Sequence, residues 1–275
     1  MNKTLGIIGT GNIATIVLSK LTTLADKLRK IYVYDIDEDK LLLFLKKFSR
    51  IKYYTDKLLR CSNIKQLIKK SDVIMESASV GAVSEILRSI KPYKSKTVII
   101  LSVGGLLENF DEYKLLLDKG YRIKIPSGAI AGCDALSAAS IAGIRSIQLT
   151  TTKPVKSLLN SQIFNLKPSL YKKVVKSTRT EIFNGDVYTA VKYFPQNINV
   201  AATLAIVSGC PEKVRVKIIA DREITSNVHE ISINSLAGEI YVRTENVPSE
   251  NNPKTSYLAA LSTLSLLSDV ILHNY

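Results

Sequence analysis

A chain of 275 residues has room for two domains and a sizeable core. Its formal net charge of +14 is carried by lysines and arginines spread in ones and twos, with no dense basic arm and no interleaved aromatics, so no nucleic-acid partner is expected. The longest apolar stretches are strand-sized and the first strand starts almost at once, so no membrane partner and no signal peptide are expected, and the setting should be cytoplasmic.

The apolar run Leu5-Gly6-Ile7-Ile8 stops at Gly9-Thr10-Gly11-Asn12-Ile13-Ala14. A helical pattern follows (Ile16, Leu18, Leu21, Leu24), then Ile31-Tyr32-Val33-Tyr34-Asp35. Strand, glycine turn, helix, strand and acid in this order meet the needs of an adenine dinucleotide. Gly9 permits the tight turn, Gly11 lets backbone approach a pyrophosphate at the helix N-terminus, and Ala14 is small enough for close helix–strand packing. The residues Gly9, Thr10, Gly11, Asn12, Ile13 and Ala14 are therefore expected to hold the cofactor. Asp35 should accept hydrogen bonds from a ribose diol and repel a ribose phosphate. NAD is expected over NADP, with neighbouring lysines leaving NADP open.

Helix and strand then alternate. Asp37 is expected to cap a helix through Phe48, leading into a strand over 51–54, and Ser62 to cap a helix over 64–70. Strands over 72–76, 97–102 and 121–125 are separated by helices over 82–90 and 106–117. Such spacing implies a doubly wound parallel sheet, buried on both faces, with ligands at the carboxyl ends of its strands. Those ends read Gly9 to Ala14, Asp35, Glu76-Ser77-Ala78-Ser79, Ser102-Val103-Gly104-Gly105 and Pro126-Ser127-Gly128-Ala129. Ala78 and Ser79 join the expected cofactor rim.

Past Ala129 the pattern changes. A small-residue helix over 131–142 precedes an alternating strand over 144–152, and 174–184 is mixed. Helices over 186–193 and 199–207 flank Phe194-Pro195-Gln196-Asn197-Ile198, and strands follow over 214–220, 228–235 and 239–245. This predicts an α+β domain on an open mixed or antiparallel sheet, so the fold class is α/β with a second α+β domain. A long apolar helix over 253–272, with Pro253 in its first turn, should pack back on the first domain and tie the halves around a cleft. The expected domains are 1–126 with 253–275, and 127–252. Cys61, Cys133 and Cys210 have no paired spacing, so neither a disulfide framework nor a metal site is expected.

Only two histidines are available for proton transfer. His273 lies beside the frayed terminus. His229, in Thr225-Ser226-Asn227-Val228-His229-Glu230, begins a strand after a loop. On its residues alone it reads more readily as a structural strand histidine than as a catalytic one.

Several longer strings bear on that choice. They are Pro126-Ser127-Gly128-Ala129-Ile130-Ala131-Gly132, Phe194-Pro195-Gln196-Asn197-Ile198-Asn199-Val200-Ala201-Ala202-Thr203-Leu204-Ala205, Asn227-Val228-His229-Glu230 and Asn246-Val247-Pro248-Ser249-Glu250-Asn251-Asn252-Pro253-Lys254-Thr255-Ser256. In order, over essentially the whole chain, they resemble the hallmark blocks of the L-aspartate dehydrogenase family. The resemblance implies a Rossmann domain followed by a mixed catalytic domain. It makes His229 the active-site histidine and assigns Ala129 and Asn199 to NAD binding. It further implies oxidation of L-aspartate to iminosuccinate with NAD or NADP, hydrolysis onward to oxaloacetate and ammonia, a setting in NAD biosynthesis, and a homodimer. Cys133 departs from an expected aliphatic residue, and the lysine-rich segment 154–175 matches loosely.

The reaction needs an unprotonated substrate amine, hence a base, and an imidazole with an ordinary pKa near 6.5 suits that work. Two substrate carboxylates need cationic or amide partners, for which Lys153, Lys254 and Thr255 are candidates, against surface lysines and a helix cap. Two other readings stay open. One is a related nicotinamide-dependent oxidoreductase acting on another small amino or keto acid. The other is a non-catalytic NAD-sensing protein.

Overall fold

The structure is a computed structural model that describes residues 2–159, 161–194, 199–249 and 252–273, the side chains of Pro253 and Lys254 excepted. It divides into two compact units, Met1–Pro126 with Ala260–Tyr275, and Ser127–Ala259.

The first unit runs β1 (Lys3–Ile8), α1 (Asn12–Lys20), β2 (Leu28–Tyr34), α2 (Glu38–Ser49), β3 (Leu58–Arg60), α3 (Ile64–Lys70), β4 (Val73–Glu76), α4 (Val80–Ile90), β5 (Thr97–Ile100), α5 (Val103–Glu108), α6 (Phe110–Asp118) and β6 (Arg122–Lys124). Its six strands are all parallel, in the order β3-β2-β1-β4-β5-β6. The order reverses between β1 and β4, so the crevice for a ligand opens at the carboxyl ends of these two strands.

Several local expectations are corrected here. Residues 51–54 form turns, and the strand is β3, because Tyr54 goes into the core. Its ring meets Phe48 edge-on and its hydroxyl donates to the Leu18 carbonyl at 2.8 Å. Asn63 caps α3 in place of Ser62, accepting from the Gln66 amide, while the Ser62 amide donates to the Gln66 side chain. That exchange is a capping box one residue along. The single helix expected over 106–117 is two, broken at Asn109, whose side-chain amide donates to the Gly105 carbonyl.

The second unit continues with α7 (Cys133–Ala142), β7 (Ile144–Pro154), α8 (Val155–Leu158), α9 (Gln162–Leu166), α10 (Pro168–Lys176), β8 (Arg179–Asp186), α11 (Val187–Tyr193), α12 (Asn199–Ser208), β9 (Val214–Asp221), β10 (Asn227–Ser235), β11 (Gly238–Asn246), β12 (Pro248–Ser249) and β13 (Asn252–Ser256). The sheet order is β11-β10-β7-β9-β8, with β7 antiparallel to β10 but parallel to β9, so this sheet is mixed. The last helix, α13 (Tyr257–His273), starts later than its apolar pattern suggests. Pro253 lies in β13, which pairs with β12. Beyond Ala260, Leu267, Val270 and Ile271 are buried with Leu5, Leu18 and Ile31 in the first unit's core, and the Lys3 ammonium donates to the Val270 carbonyl. Each such aliphatic side chain contributes about 1.5–3 kcal/mol on burial, enough to hold this stretch in place.

Among the described residues no helix is long and apolar enough to cross a membrane, and no cluster of ligands could hold a metal ion.

Candidate functional site

The glycine turn joins β1 to α1. Gly9 has φ +89°, and a Cβ there would come within 2.7 Å of the Ala78 main chain, so only glycine fits. Gly11 is different. Its φ of −71° suits any residue, yet a Cβ would meet no atom within 4 Å. Nothing in the fold demands glycine there; the open space in front of it is what a pyrophosphate at the α1 N-terminus requires. Gly11, at the N-cap, has no side chain with which to cap that helix. Ala14 is buried, and Asn12 and Ile13 open the first turn partly exposed. The residues present therefore fit a dinucleotide.

Thr10 turns inward. Its amide and hydroxyl both donate to Asp35 Oδ2 at 2.7 Å, while Asp35 Oδ1 accepts from the Asp37 amide. Asp35 thus shapes the turn as well as closing β2, and Oδ1 keeps acceptor capacity for a ribose hydroxyl. Lys40 pairs with Asp37 three residues away, and Arg60, at the end of β3, with Glu38, so these cations already have carboxylate partners. Ala78 and Ser79 lie exposed beyond β4.

In the second unit, one face of the sheet changes character along its length. Ile147 and Leu149 on β7, and Ile231 and Ile233 on β10, are buried apolar positions of that face. At the carboxyl end of β7 the same face turns polar. Thr151 opposes His229, His229 opposes Thr244, and Asn227 opposes Asn246, while Lys153 follows Thr151 by one same-face step. Six polar side chains continuing a core face are costly unless they are used.

His229 is 3 % exposed, with Nδ1 3.0 Å from the Thr151 hydroxyl. If the ring donates Nδ1–H to that oxygen, Nε2 carries the lone pair of a base. Burial, and then the charge of Lys153, push the imidazole down to about 3, so it is neutral. Lys153 is 5 % exposed, and burial pushes its ammonium down to about 8. The influence runs one way because the imidazole is already neutral when the ammonium titrates. Ala129 sits beyond Gly128, which has φ +66°, and its carbonyl accepts from Asn246 Nδ2 at 2.9 Å and from the Thr244 hydroxyl at 3.2 Å. The loop expected to meet the cofactor is thereby tied to the strand beside His229.

Other expected site residues fall elsewhere. Asn199 is exposed at the start of α12, and residues 195–198 lie outside the described set. Thr255 is half-buried in β13, and the Lys254 side chain lies outside the described set. Ser256 is buried and its hydroxyl has no hydrogen-bond partner among the described residues. Sequence reasoning missed Thr151, Asn227, Thr244 and Asn246. Their signal was the two-residue step of a strand: Thr151 and Lys153 share a face, as do Asn227 and His229.

Comparison with known proteins identifies the family. The family described as "Aspartate dehydrogenase, C-terminal" matches residues 134–270, and that described as "NADP oxidoreductase coenzyme F420-dependent" matches residues 4–104. An L-aspartate dehydrogenase of Methanococcus maripaludis is 38% identical over 274 residues, 97% of this chain and 96% of its own length. One from Methanosarcina acetivorans is 42% identical over 214 residues, covering 76% of this chain and 77% of its own. The crystal structure of aspartate dehydrogenase from Thermotoga maritima superimposes with a TM-score of 0.72 at 29% identity, over 98% of this chain and 97% of that one. With near full-length identity of this order, the chain belongs to the L-aspartate dehydrogenase family.

Proposed function

We propose that the protein oxidises L-aspartate to iminosuccinate with NAD, releasing NADH and a proton; water then converts the imine to oxaloacetate and ammonia. The observation that carries this reading is the neutral, buried imidazole of His229 sharing a sheet face with the buried ammonium of Lys153. The nicotinamide cofactor, when bound, supplies the hydride acceptor; Gly9, Gly11, Ala14 and Asp35 would hold its adenine end. Lys153 binds a substrate carboxylate by charge-assisted hydrogen bonds. His229 takes the proton that the substrate ammonium must lose before its nitrogen can support hydride departure. An imidazole pushed down to about 3 is too weak a base for this. The bound diacid offsets the lesser of the two causes, because its carboxylates oppose the Lys153 charge and favour the imidazolium, while the larger cause, burial, remains. Aspartate would thus strengthen the base that acts on it, and a monocarboxylic amino acid would do so less. The NAD-biosynthetic setting, a cytoplasmic location and a homodimer belong to the same proposal, the first and last of them resting on the family resemblance.

The test is a substrate profile by NADH absorbance with aspartate, glutamate, alanine and homoserine. Aspartate should stand well above the others in kcat/KM, and a flat profile would remove the reading. A second expectation concerns the nucleotide. Because Asp35 would repel a ribose phosphate, Asp35→Asn should raise the NADP:NAD ratio of kcat/KM by roughly tenfold, and Asp35→Ala should move it the same way. A ratio that stays put in both variants would show that Asp35 serves the turn alone.

A further inference from the structure

We infer that Glu76 is a positioning residue for the dinucleotide, its buried carboxylate clamping together the loops that follow β4 and β5 and, through Ala78, the glycine turn. The inference rests on the nicotinamide-cofactor reading of the first unit and adds to it a residue that touches no ligand.

Glu76 is the last residue of β4 and pairs in register with Ile8 of β1 and Ile100 of β5, at the point where the strand order reverses. It is completely buried, and no cation pairs with it among the described residues. Burial pushes its carboxyl up from the ordinary range, against the pull of its hydrogen bonds. A buried carboxylate without a cation is a costly choice where an aliphatic residue would pack, so the reason lies in its acceptors.

Among the described residues, four hydrogen bonds reach its side chain, and each comes from a donor. The Ala78 amide and the Ser102 hydroxyl reach Oε1 at 2.8 and 2.7 Å, and the Ser102 and Leu101 amides reach Oε2 at 2.9 and 3.1 Å. None comes from the body of the sheet. Each belongs to the rim just past the strands, where the cofactor is expected. The clamp also extends to the phosphate turn. The Ala78 and Ser77 main chains lie against Gly9, and Ser77 donates its amide to Ile8 and its hydroxyl to the Gly9 carbonyl. One side chain thus holds three of the loops that face the crevice.

The experiment is NADH binding by fluorescence titration without aspartate, together with steady-state kinetics. Glu76→Gln keeps the shape but turns an amide N–H₂ towards main-chain N–H groups. It should weaken NADH binding about 10- to 100-fold, while kcat at saturating NAD and KM for aspartate stay within about threefold. Ser102→Ala removes one donor and keeps the carboxylate. It should weaken NADH binding about three- to tenfold in the wild-type background and have little added effect beside Glu76→Gln. Should Glu76→Gln fail to fold, Ser102→Ala carries the test alone. NADH affinity unchanged in a variant that still melts cooperatively would overturn the inference, as would a loss confined to kcat. Absence of NADH binding by the wild type would instead remove the cofactor reading, and the inference with it.

Discussion

Replacing His229 by glutamine should lower kcat by about 10²- to 10⁴-fold, the usual contribution of a positioned proton acceptor, and leave NADH binding within about twofold of wild type. The variant also has a signature outside catalysis. The native imidazole stays neutral down to about pH 3, whereas in the unfolded chain it takes up a proton near pH 6.5. Between those values the unfolded state binds the extra proton, so this group makes the fold less stable as pH falls through the window. At roughly 1.4 kcal/mol per pH unit, the wild type should lose about 2 kcal/mol more than the glutamine variant between pH 7 and pH 5. Urea midpoints at the two values read this directly, and the remaining carboxylates affect both proteins alike. Parallel stability curves would mean that His229 is not held neutral. Undiminished turnover would mean that it is not the base.

Replacing Lys153 by methionine keeps an unbranched chain of similar size and removes the charge. KM for aspartate should rise about 10- to 100-fold, as expected for the loss of a charge-assisted hydrogen bond, with KM for NAD within about twofold. Stability should not fall. The native ammonium titrates near 8 and the unfolded one near 10.5, so below pH 8 its burial opposes folding. The melting temperature at pH 7 should therefore equal or exceed that of the wild type. An unmoved aspartate KM would return Lys153 to an ordinary structural role and leave the substrate carboxylates to other residues.

The two halves of the chain differed in how much could be read ahead of the structure. The parallel sheet was legible because its strands are short apolar runs punctuated by helices, and its glycine turn carries a backbone requirement. Gly9 needs a positive φ and a close approach to Ala78, which is a demand that a sequence displays openly. Where expectation failed in this unit, one side chain had two acceptable fates. Tyr54 has a strand former's preference but serves the core better, and Asn63 competes with Ser62 for one cap.

The second unit's candidate site was legible in its chemistry but not in its membership. His229 could be nominated because few groups titrate near neutrality, and Lys153 because a diacid needs a cation. Thr151, Asn246 and Thr244 could not, since nothing local says which strand lies beside which. The parity of each strand puts residues on a face; only the pairing of β7 with β10 and of β10 with β11 brings Thr151 to the imidazole and Asn246 to the Ala129 carbonyl.

By itself, then, the sequence determined the alternation of strands and helices, the glycine turn with its acid, and the residue types able to move a proton or meet a carboxylate. These are properties of a residue and its near neighbours, set by backbone sterics, hydrophobic period and intrinsic pKa. Tertiary structure decided which polar groups are buried together, and so which are neutral. It moved His229 far from its ordinary pKa and left Glu76, among the described residues, without a cation inside the sheet's end. Such effects depend on distance and on exclusion of water, and both arise only when residues remote in the chain are brought into contact.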